Sequence, residues 1–501
     1  MRPLTRETTP PAALIGASAP LETGIVHLGL GNFHRAHAAV YTAQALAAEF
    51  GGWGIAGFAN ASRRVVDPLT AQDHRYSILQ LSEHGAQAGV VDVHRSAAVL
   101  ADDRSAFIAA LVRPQHRILT LTISETGYSR SSRTGRLDLD EPAITADLAD
   151  PQHPVSAVGL MALGLARRAE HGEPFTVLSC DNLQSAGHAT RAVVTEFLEA
   201  SGADADVLSY VESRVAFPNA MVDRIVPATT PATTDEVAAL LGVIDACPVR
   251  AEDFSMWVLE DEFAGGRPAW DRAGAIMSDE VERYEVVKLR LLNGSHSLIA
   301  YLGGLDGQTT IPDAWRQPFI RDAVLAGIRT DYLPSIALPQ GLDVDAYVES
   351  LTHRWANSAL GDRTARVGSD GSTKLLQRIP APAEHALRSG RVPHQLALTT
   401  AAWICAIAPP AGFTPGPIAD EMQDAARHRM VEATRGARGP RAHAIAVLNA
   451  GFLPDSLTAH AAFVDRVAEL VDVIVRHGVR AAASDALRSS TSGSTVREEV
   501  R

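Results

Sequence analysis

Cysteine is scarce in this chain of 501 residues: Cys180, Cys247 and Cys405 stand far apart and are odd in number. That excludes a disulfide framework and a clustered thiolate zinc site. Basic charge is in deficit too. Lys and Arg number 45 against 58 Asp and Glu, a formal net charge of −13, which argues against a nucleic-acid or anionic-membrane partner. No apolar run approaches the roughly 18 residues of a membrane span. Met1-Arg2-Pro3-Leu4-Thr5-Arg6 lacks the apolar stretch of a signal peptide. These absences point to the cytoplasm. What is present is the composition of a soluble globular protein, 46% apolar and 21% charged, over a length that calls for two large domains.

Residues 1–23 are rich in Pro, Ala and Thr and read as a loosely attached N-terminal arm. From residue 24, Gly-Ile-Val-His-Leu-Gly reads as a short buried strand that breaks into Gly29-Leu30-Gly31, with a helix following over 36–50. Further strand candidates lie at 53–58, 117–123 and 175–180, with helical sequence at 155–168. Strands alternating with helices indicate a parallel sheet covered on both faces. After about residue 279 the texture changes, and helical periodicity runs through 282–301, 317–327, 394–406, 418–434 and 461–477. The expected fold is α/β: a Rossmann-type domain over 24–278, then a mainly α-helical domain over 279–484. A Ser/Thr-crowded stretch over 485–501 reads as a disordered tail.

Gly29-x-Gly31 sits between a first strand and a helix N-terminus, where a dinucleotide fold needs it. The first glycine permits the tight turn and the second lets backbone approach a pyrophosphate. Asn32, Phe33 and His34 complete the candidate cofactor loop, although His34 departs from the Gly or Ala of the full fingerprint. After the second strand comes Asn60-Ala-Ser-Arg63-Arg64, with no acid before Asp67. An acid there would hold the ribose 2′-OH of NAD, whereas arginine accommodates a 2′-phosphate. NAD is therefore expected with NADP possible through Arg63 and Arg64, and a solvated arginine pair is the alternative.

The segment Tyr284-Glu-Val-Val-Lys-Leu-Arg-Leu-Leu-Asn-Gly-Ser-His296 places a lysine, an asparagine and a histidine on an otherwise apolar helix. At about 100° per residue, Asn293 lies roughly 140° and His296 roughly 80° from Lys288, so all three can face one cavity. A lysine in apolar surroundings is costly to keep charged and suits a general base. The plainer alternative is that Lys288 snorkels to water and His296 packs in the core.

Several ordered segments together resemble the polyol-specific long-chain dehydrogenase family, which includes mannitol 2-dehydrogenase and fructuronate reductase (mannonate dehydrogenase). They are Gly29-Leu-Gly-Asn-Phe-His-Arg-Ala-His37, Ser179-Cys-Asp-Asn-Leu183, Phe217-Pro-Asn-Ala-Met-Val-Asp-Arg224, Trp257-Val-Leu-Glu-Asp261, Gly266-Arg-Pro-Ala-Trp270, Lys288-x4-Asn293-x2-His296 and Ser369-Asp-Gly-Ser-x-Lys374. The resemblance implies metal-independent hydride transfer at a site formed by the two domains. It implies Lys288 as general base, Asn182 and Asn293 as an oxyanion hole, His296 as a substrate-orienting group and Glu285 as a proton relay. Asp223, Arg366 and Lys374 would contact sugar hydroxyls or a terminal carboxylate. Competing assignments are a strand-end cap for Asn182, a local ion pair for Asp223 with Arg224, and a solvated loop for Arg366 and Lys374.

The substrate signals conflict. Arg366-Val367 and the intact Phe-Pro-Asn-Ala-Met segment resemble the mannitol branch, while 225–231, 288–297 and Lys374-Leu-Leu-Gln-Arg378 resemble the fructuronate branch. The expected reaction interconverts a sugar alcohol and a 2-ketose, D-mannitol and D-fructose ahead of D-mannonate and D-fructuronate. Two other classes are weighed. A zinc alcohol dehydrogenase, prompted by His34 and His37, lacks converging ligands. A catalytically inactive dinucleotide sensor has no need of a base on the 284–296 helix.

Overall fold

The computed structural model describes residues 1–131 and 133–495. The chain divides into two compact units, Met1–Glu282 and Arg283–Arg501.

The first unit is built on a six-stranded parallel sheet. In chain order its strands are β1 (Thr23–Leu28), β2 (Gly54–Ala59), β3 (His94–Val99), β4 (Ile118–Leu121), β5 (Phe175–Ser179) and β6 (Val215–Ala216). Their spatial order is β3-β2-β1-β4-β5-β6, so the winding reverses between β1 and β4. A doubly wound sheet binds its ligand at that reversal, beyond the carboxyl ends of the strands. β1 and β4 are central and buried along nearly their whole length, which explains their continuous apolar sequence.

Two smaller sheets flank this one, of order Val249–Glu252, Tyr76–Ser82, Gly85–Val91 and of order Ala220–Asp223, Met256–Leu259, Ile276–Met277. Neither was legible as strand sequence. Tyr76–Ser82 is buried on both faces for most of its length, so it shows no alternation.

Residues 1–23 are not a loose arm. Arg2 and Pro3 pair in parallel with Val243 and Ile244, and Leu4 is fully buried against Val90 and Val243. Beyond them, Ile15, Ala17 and Ala19 donate backbone hydrogen bonds to Val90, Ala43 and Asp92 at 2.9 Å each. Every partner is distant in sequence, so local composition does not reveal the docking. The helix expected over 36–50 begins earlier and is broken at His37 (φ −122°, ψ −91°) into Asn32–Ala36 and Ala38–Ala48.

The second unit is helical throughout its described length. At its centre lies His394–Ile407, buried at every position from Gln395 to Ile407. A helix apolar on all sides must be enclosed, and Ser295–Leu305, Pro318–Gly327, Ala461–His477 and Val479–Thr495 pack against it. The helix expected over 418–434 is instead two short pieces, Pro417–Asp420 and Arg427–Ala433. The expected tail is also corrected in part. Val479–Thr495 is a helix held by an Arg466–Asp485 ion pair at 2.5 Å and by buried Ala482, Ala483 and Ala486. Residues 496–501 lie outside the described residues. Among the described residues no helix is long and apolar enough to cross a membrane.

Candidate active site

At the carboxyl end of β1 the chain turns through Gly29, whose φ is +103°. A Cβ there would lie 2.1 Å from the carbonyl oxygen of Thr122, so β4 and the loop approach too closely for any side chain. Thr122 Oγ1 donates back to the Gly29 carbonyl at 2.7 Å. Gly31 differs, because a Cβ there would meet only the Gly29 oxygen at 3.6 Å. It caps Asn32–Ala36 without a side-chain bond, leaving backbone N–H groups for an anion. Open backbone at Gly31 and an uncapped helix start at the sheet reversal fit a dinucleotide pyrophosphate.

Arg35 shapes this loop from beneath and went unnoticed in the sequence. Fully buried, it donates to the Gly31 carbonyl at 3.3 Å, to Asn32 Oδ1 at 2.7 Å and to the Cys247 carbonyl at 2.5 Å. Asn32 is thereby oriented, and Phe33 stacks on His37 with centroids 5.1 Å apart.

His34 is turned into the interior. Its ring stacks on His27 with centroids 3.3 Å apart, and its Nε2 lies 3.0 Å from Nε2 of His94. A group so placed cannot present its ring to a phosphate from the loop. Burial drives all three imidazoles far toward the neutral form, His27 down to about 3. Their sign in stability is definite, because each folded-state pKa lies below the unfolded value near 6.5. The contribution is present above pH 6.5 and is lost progressively as pH falls below it. Asp181 in the same unit, raised by burial, and Asp331 in the second unit, pushed up to about 6 by burial, act with the opposite sign, but they are two groups against three. Thermal midpoints from pH 7 to 4 should therefore fall steeply for the first unit's transition, and His34→Gln should flatten the slope. A pH-independent midpoint would contradict the neutral cluster.

His37 packs apart from that cluster, its centroid 5.4 Å from that of Trp257 and its Nε2 3.1 Å from the Met256 carbonyl. Among the described residues no group of three or more His, Cys, Asp or Glu side chains is placed to hold a metal.

At the end of β5, Asp181 accepts from the amides of Ile123 and Ser124 at 2.9 Å each and from Tyr128 Oη at 2.7 Å. Burial raises the pKa of Asp181, while these donors oppose the rise. The carboxylate thus ties the turn after β4 to the turn that carries Asn182, on the same carboxyl edge as Gly29. Arg63 and Arg64 begin the helix Arg63–Ala71 after β2. Arg63 is drawn to Asp102 at 2.5 Å and Asp67 at 3.6 Å, whereas Arg64 is exposed.

Asp223 ends the buried strand Ala220–Asp223. The guanidinium of its neighbour Arg224 donates to the Glu252 carbonyl at 3.0 and 2.8 Å and to the Ala36 carbonyl. Parts of the recognised motifs are architectural. Asn219 accepts from the amides of Gly187 and His188 at the start of the helix Ala186–Ala200, at 3.0 and 3.3 Å, and Arg267 bridges Asp261 and Asp271 at 2.6 Å each.

In the second unit, the segment from 281 to 305 is not one α-helix. Val281–Val287 and Ser295–Leu305 are α-helical, but Lys288–Gly294 between them is a π-helix. The 100° spacing applied to the sequence therefore fails here. An i→i+5 turn brings residues five apart close to the same side, so Lys288 and Asn293 stand much nearer in phase than 140°. Glu285, Lys288, Asn293 and His296 are all half-buried, while Tyr284, Val287, Leu291, Leu292 and Gly294 are buried. A Cβ on Gly294 would meet Tyr332 Oη at 2.3 Å, so glycine is required there. The His296 ring lies 6.2 Å from that of Trp355.

Arg366 and Lys374 sit on a separate stretch. Arg366 is paired with Asp362. Lys374 Nζ donates to the carbonyls of Ser369 at 2.6 Å and Val367 at 3.2 Å, and burial, then the nearby Arg378, lowers its pKa. The glycine of Ser369-Asp-Gly-Ser is forced by packing, since a Cβ on Gly371 would meet Tyr301 Oη at 2.3 Å and Trp403 Nε1 at 2.5 Å. The sequence reading did not single out Arg378 as a site residue. It donates to the Asn293 carbonyl at 2.9 Å and to Ser297 Oγ at 2.8 Å.

A doubly wound sheet with a Gly-x-Gly turn at its reversal, followed by a helical unit that carries half-buried lysine, asparagine and histidine along one π-to-α segment, defines a dinucleotide-dependent dehydrogenase. Residues 23–272 match the mannitol dehydrogenase Rossmann domain and residues 280–472 the mannitol dehydrogenase C-terminal domain. The chain belongs to the mannitol dehydrogenase family. It is similar to the D-mannonate oxidoreductase of Escherichia coli (strain K12), 39% identical across 77% of this chain and 80% of that protein. Among solved structures it is similar to a substrate-free D-sorbitol dehydrogenase, with a TM-score of 0.85 at 30% identity over 96% of this chain and 100% of that one. It is also similar to Pseudomonas fluorescens mannitol 2-dehydrogenase in complex with NAD and D-mannitol, with a TM-score of 0.81 at 30% identity over 97% and 99% of the two chains.

Proposed function

We propose that this chain interconverts a sugar alcohol and the matching 2-ketose with NAD(H), and that D-mannitol and D-fructose are the pair. The observation that carries the reading is the half-buried setting of Glu285, Lys288, Asn293 and His296 along one segment that includes a π-helical turn, in a chain of this family. Gly29, Gly31, Asn32 and Phe33 hold the dinucleotide, which supplies the hydride acceptor when bound. Lys288 takes the proton from the reacting hydroxyl, since hydride leaves a carbinol carbon only as its oxygen loses a proton. Asn182 and Asn293 donate to that oxygen as charge develops, and as neutral amides they add no second cation beside the lysine. His296 orients the substrate, and Glu285 passes the proton onward. Asp223, Arg366 and Lys374 contact the remaining hydroxyls. Because a lysine serves as base, no metal is required. The buried, unpaired thiols of Cys180, Cys247 and Cys405 suit a cytoplasmic setting.

A second reading, D-mannonate and D-fructuronate, is favoured by Lys374. Its ammonium has carbonyl partners, and among the described residues no carboxylate lies within ion-pair distance, so it can receive a carboxylate from the substrate. Initial rates on fructose and fructuronate, with NADH and NADPH and with a chelator present, decide between them. The expected result is faster fructose reduction, undiminished by the chelator, with NADPH accepted through the exposed Arg64. A strong preference for fructuronate overturns the lead, and a selectivity for NADH above about 10³-fold removes the arginine argument.

A further inference from the structure

The π-helical turn ends at Gly294 and regular α winding resumes at Ser295. A junction of that kind sets the rotational phase of everything on either side, because the wider turn shifts each side chain relative to α spacing. Asn293 lies one residue before the junction and His296 two residues after it. One side chain spans the two windings: the Arg378 guanidinium donates to the Asn293 carbonyl on the π side and to Ser297 Oγ on the α side.

Arg378 is otherwise an expensive residue. It is half-buried, and burial lowers its pKa. No carboxylate of the described residues lies within ion-pair distance, and its Nε is buried without a partner. A desolvated cation that lacks a counter-ion is unfavourable for stability alone. Its location gives it a use. Arg378 closes the helix Gly371–Arg378, on which Lys374 lies one turn earlier. It therefore fastens the stretch that carries Lys374 to the turn that carries Lys288 and Asn293.

We infer that Arg378 is a positioning residue, which holds the π-to-α junction in register so that the Asn293 amide and the Lys288 amine address the same substrate oxygen. The inference rests on the roles proposed above for Lys288 and Asn293. It is tested by kcat and KM for Arg378→Met, Arg378→Lys and Lys288→Ala, together with amide exchange of peptides covering 288–297. Misplacement of a reacting group by an ångström costs on the order of 10²-fold, so Arg378→Met should lower kcat by that order while the substrate KM changes by less than about three-fold. Exchange should accelerate in 288–297 and not elsewhere in the second unit. Arg378→Lys keeps the charge and one donor, and should recover most of kcat. If the methionine variant does not fold, the lysine variant alone carries the test, with an intermediate kcat and faster exchange in 288–297 expected. Wild-type kcat in the methionine variant, or wild-type kcat and exchange in the lysine variant when that one alone folds, overturns the inference. Equal losses in both variants with exchange rising across the whole unit also overturn it. Full turnover in Lys288→Ala overturns the underlying reading instead, independently of Arg378.

Discussion

Replacing Lys288 by alanine is expected to lower kcat/KM by about 10³-fold or more, since general-base assistance contributes about 10²–10⁴-fold and the first residue of the π-helical turn is where that base is proposed to stand. Cofactor affinity should be largely unchanged, because the Gly29–Phe33 loop lies in the first unit and its architecture depends on Thr122 and Arg35. Steady-state kinetics with a parallel NADH fluorescence titration separates the two effects. A side chain that only snorkels to water would leave turnover near wild type. A protein that binds dinucleotide without catalysing would show no turnover to lose. Partial rescue of Lys288→Ala by a small primary amine would further identify the missing group as a base.

Gly29→Ala is expected to be nearly as damaging by a different route. Backbone at φ +103° costs a residue with a Cβ about 1–3 kcal/mol. Here the new methyl would also lie 2.1 Å from the Thr122 carbonyl oxygen, in a close-packed interior that relaxes only partially. The loop must separate from β4, and the Thr122 hydrogen bond to Gly29 is lost with it. NADH affinity should fall by on the order of 10²-fold, a loss of about 2.7 kcal/mol, together with a lower thermal midpoint. Gly31→Ala is the control, as its Cβ meets only the Gly29 oxygen at 3.6 Å. It should fold normally and weaken cofactor binding alone. Wild-type NADH affinity in Gly29→Ala would remove this loop from the cofactor site.

The two glycines show how differently sequence and structure speak about one motif. Gly-x-Gly after an apolar run states that a tight turn follows a strand, because only glycine tolerates that backbone. It does not state which neighbouring strand presses on the first glycine, nor that His34 at the third position points inward against His27 and His94. Partners at 27 and 94 lie at unrelated distances along the chain, and no local pattern encodes a cluster of three imidazoles. Arg224 was similarly opaque. Adjacency suggested a pair with Asp223, whereas its guanidinium reaches carbonyls at Glu252 and Ala36.

The alternation of buried strands and helices in the first half, the helical second half, and the residue types gathered on 285–296 are all legible in the order of the amino acids. Each depends on short-range periodicity or on the conformational limits of single residues, which survive without a partner. The docking of residues 1–23, the π winding of Lys288–Gly294 and the clamp of Arg378 on Asn293 depend on contacts between distant residues and emerge only in the folded chain. The π turn shows the reason most directly. Its backbone geometry is less favourable than α winding, and Tyr332 against Gly294 and Arg378 across the junction hold it in place. A helical wheel drawn from sequence alone cannot contain those contacts, and so it set Lys288 and Asn293 about 140° apart, able to share a cavity but further out of phase than the π turn leaves them.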